Sequence, residues 1–167
     1  TSIHYEPGSY GLIPQVGTAV VSIIAGKLAD LVITKYGVKT VYVRKIWQTV
    51  GATGASLFMA LIAGLVHKQA DGLKAIIFLV LAMSIGGAVT SGYGANHIDI
   101  GPKYAGPLMG ITNTVATIPG IVGIFLTGFI LDHTNGSYFL VWIIAIGIYV
   151  VGTIIFDIFA KGHKIFE

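Results

Sequence analysis

Five stretches of about 20 predominantly apolar residues, each long enough to cross the hydrocarbon core of a bilayer, occupy nearly the whole chain. They fall at 10–33, 41–66, 73–95, 105–131 and 138–160. The connectors at 34–40, 67–72, 96–104 and 132–137 are short, so consecutive helices are expected to lie antiparallel and side by side. The fold expected is all-α, a polytopic membrane helix bundle with no separate soluble domain. Only 10% of the 167 residues are charged and 54% are hydrophobic, against roughly 25% charged in a typical soluble domain. The net charge of +3 is spread over connectors and helix ends rather than gathered into a patch, which argues against a nucleic-acid partner. Cysteine is absent, so neither disulfides nor thiolate chemistry enters. The first residue is Thr1 rather than Met, and residues upstream are therefore expected.

Basic residues set the expected orientation, because cytoplasmic loops retain an excess of Lys and Arg. Lys27, Lys35, Lys39, Arg44, Lys45, Lys103, Lys161 and Lys164 gather at one end of the expected bundle, and Lys68 and Lys74 at the other. The first end, with the C-terminal tail, is expected to be cytoplasmic. The connectors 67–72 and 132–137 and the N-terminus then lie on the opposite side. The Asn135-Gly136-Ser137 sequon falls there too, and reads as a turn without need of a glycan.

Three spans carry a small or polar face at helical spacing. Gly11, Gln15, Thr18, Ser22 and Gly26 share one side of the first. Gly106, Gly110, Asn113, Thr117, Gly120 and Thr127 share one side of the fourth, and Gly86, Thr90, Tyr93 and His97 fall along the third. Small residues allow close helix packing and hydroxyls bond between helices; the same faces suit the wall of an aqueous path. The fifth span is almost wholly apolar from Phe139 to Phe156, as expected of a helix facing lipid. Pro119, with Gly120 beside it, should bend the fourth span, as a static kink or as the hinge of a gate. Pro14 reads as a first-turn proline.

Charged residues at the basic end suggest a second role. Gly26-Lys27-Leu28-Ala29-Asp30 closes the first span, and Val43-Arg44-Lys45-Ile46 opens the second, so Asp30 and Arg44 stand on opposite arms of one short hairpin. An ion pair between them could latch two helices and favour one conformation. Asp99 and Lys103 repeat the opposition at four-residue spacing within the polar block from Asn96 to Gly106, expected to form the turn between the third and fourth spans. Asp157 and Lys161 do so again at the last helix end, as a snorkelling surface pair. The five histidines are scattered with no paired metal-ligand spacing, and neither a nucleophile motif nor a phosphate-binding loop is present. No enzyme, metal or cofactor is expected.

These segments carry a resemblance. Gly26 to Asp30, Val43 to Gly51 and the stretch from Asn96 to Thr114 resemble the anion:cation symporter family of the major facilitator superfamily, as does the tail from Phe159 to Ile165. The resemblance implies that the five spans correspond to helices eight through twelve of a twelve-helix fold, the C-terminal part of a transporter whose N-terminal helices are missing. It implies a secondary active transporter of inorganic phosphate or organic anions, driven by a sodium or proton gradient or by voltage, working by alternating access. Gln15, Thr18, Tyr93, Asn113 and Thr117 are then expected along the substrate path. Gly26, Asp30, Arg44 and Lys45, joined by Asp99 and Lys103, form the expected cytoplasmic latch, with Pro119 and Gly120 as the hinge. His97 is a turn constituent or a proton relay. The other reading is a truncated membrane protein that packs with a partner and does not transport.

Overall fold

The computed structural model describes residues 7–65 and 72–165. Apart from Gly72, the expected connector 67–72 lies outside the described residues, and so do Lys68 and Thr1. Among the described residues six α-helices follow one another: α1 (Pro7–Tyr36), α2 (Thr40–Leu65), α3 (Gly72–Gly86), α4 (Tyr93–Ile100), α5 (Ala105–His133) and α6 (Phe139–Phe159). Together they make five spans long and apolar enough to cross a membrane, α3 and α4 sharing the third, Gly72–Ile100. No strand occurs among the described residues. The protein is an integral, multi-pass, all-helical membrane protein.

Local chemistry sets the helix ends. Gly37 takes φ of +63° just past α1, a left-handed position that favours a residue without a side chain, and the Val38 amide reaches back to the Val32 carbonyl at 3.4 Å. Between α5 and α6, Asn135 and Gly136 are both left-handed, and the Gly136 amide closes on the Leu131 carbonyl at 2.9 Å. This Asn-Gly pair is the local signal that the sequence reading took for a turn.

The core is built from small residues. Ala25, Ala29, Ala52, Ala55, Ala63, Ala82 and Ala88 are buried, whereas bulky residues such as Ile24, Leu57 and Phe125 lie on the outside. This inversion of the soluble pattern follows from the solvent: lipid tails are as apolar as Leu, so helices associate by close backbone approach. The most buried span is α2, which packs against α1, α3, α4 and α6. The last helix therefore does not simply face lipid: it runs along α2 and buries Thr153.

The third span departs most from expectation. In place of a continuous helix over 73–95 followed by a turn from Asn96, α3 stops at Gly86, a 3-10 segment runs from Gly87 to Ser91, and helix resumes at Tyr93. Asn96, His97 and Asp99 are thus helical, and the connection to α5 shrinks to Gly101 and the 3-10 turn Pro102–Tyr104. Tertiary packing explains the break. A Cβ on Gly92 would sit 2.9 Å from the Gln48 amide nitrogen and 3.0 Å from the Arg44 carbonyl, and one on Gly51 would meet the Val89 nitrogen at 2.8 Å. The broken segment is therefore pressed backbone to backbone against α2. Carbonyls at the break and in the last turn of α3 also find donors on α1, the Ser22 hydroxyl reaching Gly87 O at 2.9 Å and the Thr18 hydroxyl Met83 O at 3.0 Å. Within a bilayer an interrupted helix is tolerated where neighbours satisfy its backbone in this way.

Candidate functional site

The charged residues converge where α2 begins and α4 and α6 end. Successive residues of a helix point about 100° apart, so adjacent Arg44 and Lys45 serve different neighbours. Arg44 turns toward α4: its Nε donates to Asp99 Oδ2 at 2.7 Å and its Nη2 to Asp99 Oδ1 at 3.1 Å. Its Nη1 donates to the Ser91 carbonyl at 3.3 Å, in the broken segment. Lys45 turns toward α6 and donates to the Asp157 carbonyl, while the Thr49 hydroxyl, one turn along, donates to Asp157 Oδ2 at 2.9 Å.

The Arg44–Asp99 pair has its side chains 9% and 15% exposed, dry enough that removing one partner strands a charge at a cost of about 3–5 kcal/mol. The planar guanidinium fork matches the carboxylate in two bonds, a geometry Lys cannot reproduce. Asp99 lies in the last turn of α4, where the helix dipole disfavours a negative charge. Its stability there depends on Arg44, so separating the two exposes Asp99 to an unfavourable field as well as to desolvation. This contact is made or lost as a unit.

The tail completes the cluster. Asn96, itself buried, donates through Nδ2 to the Lys161 carbonyl at 2.6 Å, and the Ile165 amide donates to the Ile100 carbonyl at 2.7 Å. Gly162 lies so close to the start of α2 that a Cβ would meet the Val41 nitrogen at 2.5 Å. Thus α4 is held on one side by Arg44 of α2 and on the other by the chain beyond α6. Gly92 and Gly101 bound it at its two ends.

Several expected pairings differ in the structure. Arg44 pairs with Asp99 and not with Asp30, which is exposed on the outer side of α1. Asp99 is therefore committed to Arg44 rather than to Lys103, whose ammonium lies over the Tyr104 ring at 5.5 Å. The same holds for Asp157, whose bonded contacts run to Thr49 and Lys45 of α2 rather than to Lys161. For Asp99 and Asp157 the sequence-local partner at i+4 loses to a partner on another helix. Gly26 does lie at the cluster, where an added Cβ would stand in ordinary van der Waals contact with the Ser91 hydroxyl oxygen at 3.8 Å.

The residues expected along a substrate path divide into two groups. Thr18 is engaged by Pro14 O at 2.8 Å as well as by Met83 O, and Gln15 is exposed nearby on α1. Tyr93 is half exposed and stands edge-on to the His97 ring at 6.3 Å. Asn113 and Thr117 lie on an exposed face of α5, the Thr117 hydroxyl donating to the Asn113 carbonyl at 3.0 Å. Pro119 and Gly120 are on the same open length of α5, and the helix runs through them unbroken. His97 bridges α4 to α5, its Nε2 3.1 Å from the Thr112 hydroxyl. Asn96, Ser91 and Thr49 were not anticipated at the cluster. Their signal in the sequence was a polar residue within a turn or two of a charged one in an otherwise apolar span.

No protein-family model matches the chain. Among individual proteins, it is similar to human sialin, 39% identical over 159 residues, covering 95% of the chain and 32% of sialin. It is 34% identical over 162 residues to the probable chloroplastic anion transporter 4 of Oryza sativa, covering 97% of the chain and 26% of that protein. With vesicular glutamate transporter 3 of Danio rerio it shares 35% identity over 158 residues, 94% of the chain and 26% of the transporter. The chain spans about a third or less of the length of these relatives.

Proposed function

Because the chain belongs to the anion:cation symporter family of the major facilitator superfamily, we propose that it forms the C-terminal part of a secondary active transporter working by alternating access. The cargo class is inorganic phosphate or an organic anion, and the driving force a sodium or proton gradient or the membrane potential. Support for the cargo class comes from relatives named for anion and glutamate transport. Support for alternating access comes from one observation above all: the third span is interrupted, and its end segment α4 is fastened to α2 by the single ion pair found among the described residues, Arg44–Asp99.

In this reading α4 is the moving element. It pivots at Gly92 and Gly101, and the Arg44–Asp99 pair with its Ser91 contact holds it in one position. Transport then requires the pair to break and reform, each state being populated according to how well it satisfies Asp99. Tyr93 and His97 ride on α4, while Asn113 and Thr117 on α5 supply uncharged hydrogen bonds to an anion. Their exposed face of α5 supports the view that further helices, upstream of this chain, cover it and contribute the positive charge. The basic end, with the tail, faces the cytoplasm by the positive-inside rule.

The test is reconstituted uptake of radiolabelled phosphate and organic anions by the full-length transporter. Asp99→Asn and Arg44→Ala are expected to abolish net uptake while leaving substrate binding measurable. Normal turnover in both variants would refute the latch. Absence of any anion flux from the intact protein would refute the transport assignment.

A further inference from the structure

Beyond α6 the chain stays on the bundle through residue 165. It passes the start of α2, where Gly162 is pressed against Val41, and reaches α4, where the Lys161 carbonyl accepts from Asn96 and the Ile165 amide donates to the Ile100 carbonyl. All of these contacts use tail backbone. The side chains of Lys161 and Lys164 are left exposed, and the approach of Gly162 to Val41 brings them beside Lys39, exposed in the connector between α1 and α2. Two stretches remote in sequence thus build one cationic patch.

No carboxylate among the described residues neutralises it. Asp99 is committed to Arg44, Asp157 accepts from Thr49, and Asp30 lies more than a turn inside α1. The level of the patch decides which anion it suits. Lys39 and Lys161 follow directly on the membrane-spanning lengths that close at Tyr36 and Phe159, so they stand at headgroup depth. Tyr36 and Tyr42 are exposed at the same level, as aromatic residues at a membrane interface are. Phe159 is exposed at the foot of the patch, where an acyl chain can cover it. A free anion has no use for that apolar margin, and a zwitterionic lipid brings no net charge to the lysines.

We propose that Lys39, Lys161 and Lys164 dock the headgroups of anionic phospholipids, and that lipid bound there fastens the tail against α2 and α4. Each lysine at the surface of an anionic membrane strengthens the attachment about fivefold. Because the tail backbone is bonded to Asn96 and Ile100, an anionic leaflet favours the position that α4 holds here. The choice of the cytoplasmic leaflet and any effect on transport rest on the orientation and latch proposed above. Lipid retention in symmetric nanodiscs depends on neither, so the two can fail separately.

Native mass spectrometry of the full-length transporter, released from nanodiscs of equimolar phosphatidylglycerol and phosphatidylcholine, tests the docking. Phosphatidylglycerol should be retained in preference, and the preference should shrink as ammonium acetate is raised. Lys39→Gln, Lys161→Gln and Lys164→Gln should each lower it about fivefold, while the corresponding triple arginine variant keeps it. Hydrogen exchange at the Ile165 amide should be slower in phosphatidylglycerol than in phosphatidylcholine nanodiscs. Equal retention of the two lipids, an undiminished preference in the triple glutamine variant, displacement of the lipid by excess inorganic phosphate, or identical Ile165 exchange in the two lipids would each overturn the proposal.

Discussion

The guanidinium of Arg44 on α2 grips the Asp99 carboxylate near the end of α4 through two parallel hydrogen bonds of 2.7 and 3.1 Å. The two residues are 55 positions apart in the chain, and the pair joins the helix that anchors the bundle to the half of the third span that follows its break.

Breaking that pair from either side should destabilise the bundle. Arg44→Ala or Asp99→Asn is expected to cost about 3–5 kcal/mol, because the surviving charge stays buried. Arg44→Lys should recover only part of this, lacking the fork. A double-mutant cycle on thermal unfolding in detergent reads the coupling, and additive single effects would contradict it.

Asp30 provides the contrast. It is exposed and its carboxylate is not paired with Arg44, so Asp30→Asn should alter stability by no more than about 0.5 kcal/mol. The same unfolding assay checks it. A loss matching that of Asp99→Asn would restore the hairpin pairing expected from sequence.

Close backbone contact at the break leads to a steric prediction. A methyl group at Gly92 would press on the Gln48 nitrogen and the Arg44 carbonyl at about 3 Å, and neither can yield without moving α2. Gly92→Ala should therefore cost on the order of 1–3 kcal/mol, as overpacking does. Gly120→Ala, with open space around it, should cost nothing of the kind, and comparing their melting curves separates the two.

Tail contacts should be visible in amide exchange. Asn96→Leu removes the donor to Lys161 O, a net loss of about 0.5–1.5 kcal/mol. Exchange at the Ile165 amide, bonded to Ile100 O, should accelerate. Unchanged protection there would mean that the tail is held by other contacts.

On the open face of α5, Asn113→Ala and Thr117→Val should leave the melting temperature of this chain by itself unmoved while raising KM for the transported anion in the full-length protein. Both side chains are exposed in this chain, so a stability effect there has no physical basis. A fall in kcat with unchanged KM would instead place them in the conformational step.

Much of this architecture was legible because bilayer thickness imposes helix length, and the apolar runs could be counted directly. The Gly37 and Asn135-Gly136 turns were readable for a similar reason, since their backbone conformations favour those residues. The break in the third span was not, because Gly86, Gly87 and Gly92 only permit it, and contact with α2 and α1 at Gly51, Ser22 and Thr18 fixes it. Pairing failed for the same reason. Local spacing offered Asp30, Lys103 and Lys161 as partners, but partners on neighbouring helices, Asp99 for Arg44 and Thr49 for Asp157, prevail once the bundle is packed. Lys45 was assigned to a latch with Arg44, yet the two residues, adjacent in sequence, turn to different helices.

The central claim is that Arg44 and Asp99 hold α4 in one of two positions. Spin labels replacing the exposed residues Lys39 and Lys103, in the full-length transporter reconstituted into liposomes, report the distance across this end of the bundle by electron–electron resonance. A predominantly short distance is expected in the otherwise unaltered protein, with a shift of the population toward a longer one in Asp99→Asn. An identical distance distribution in the two would contradict it.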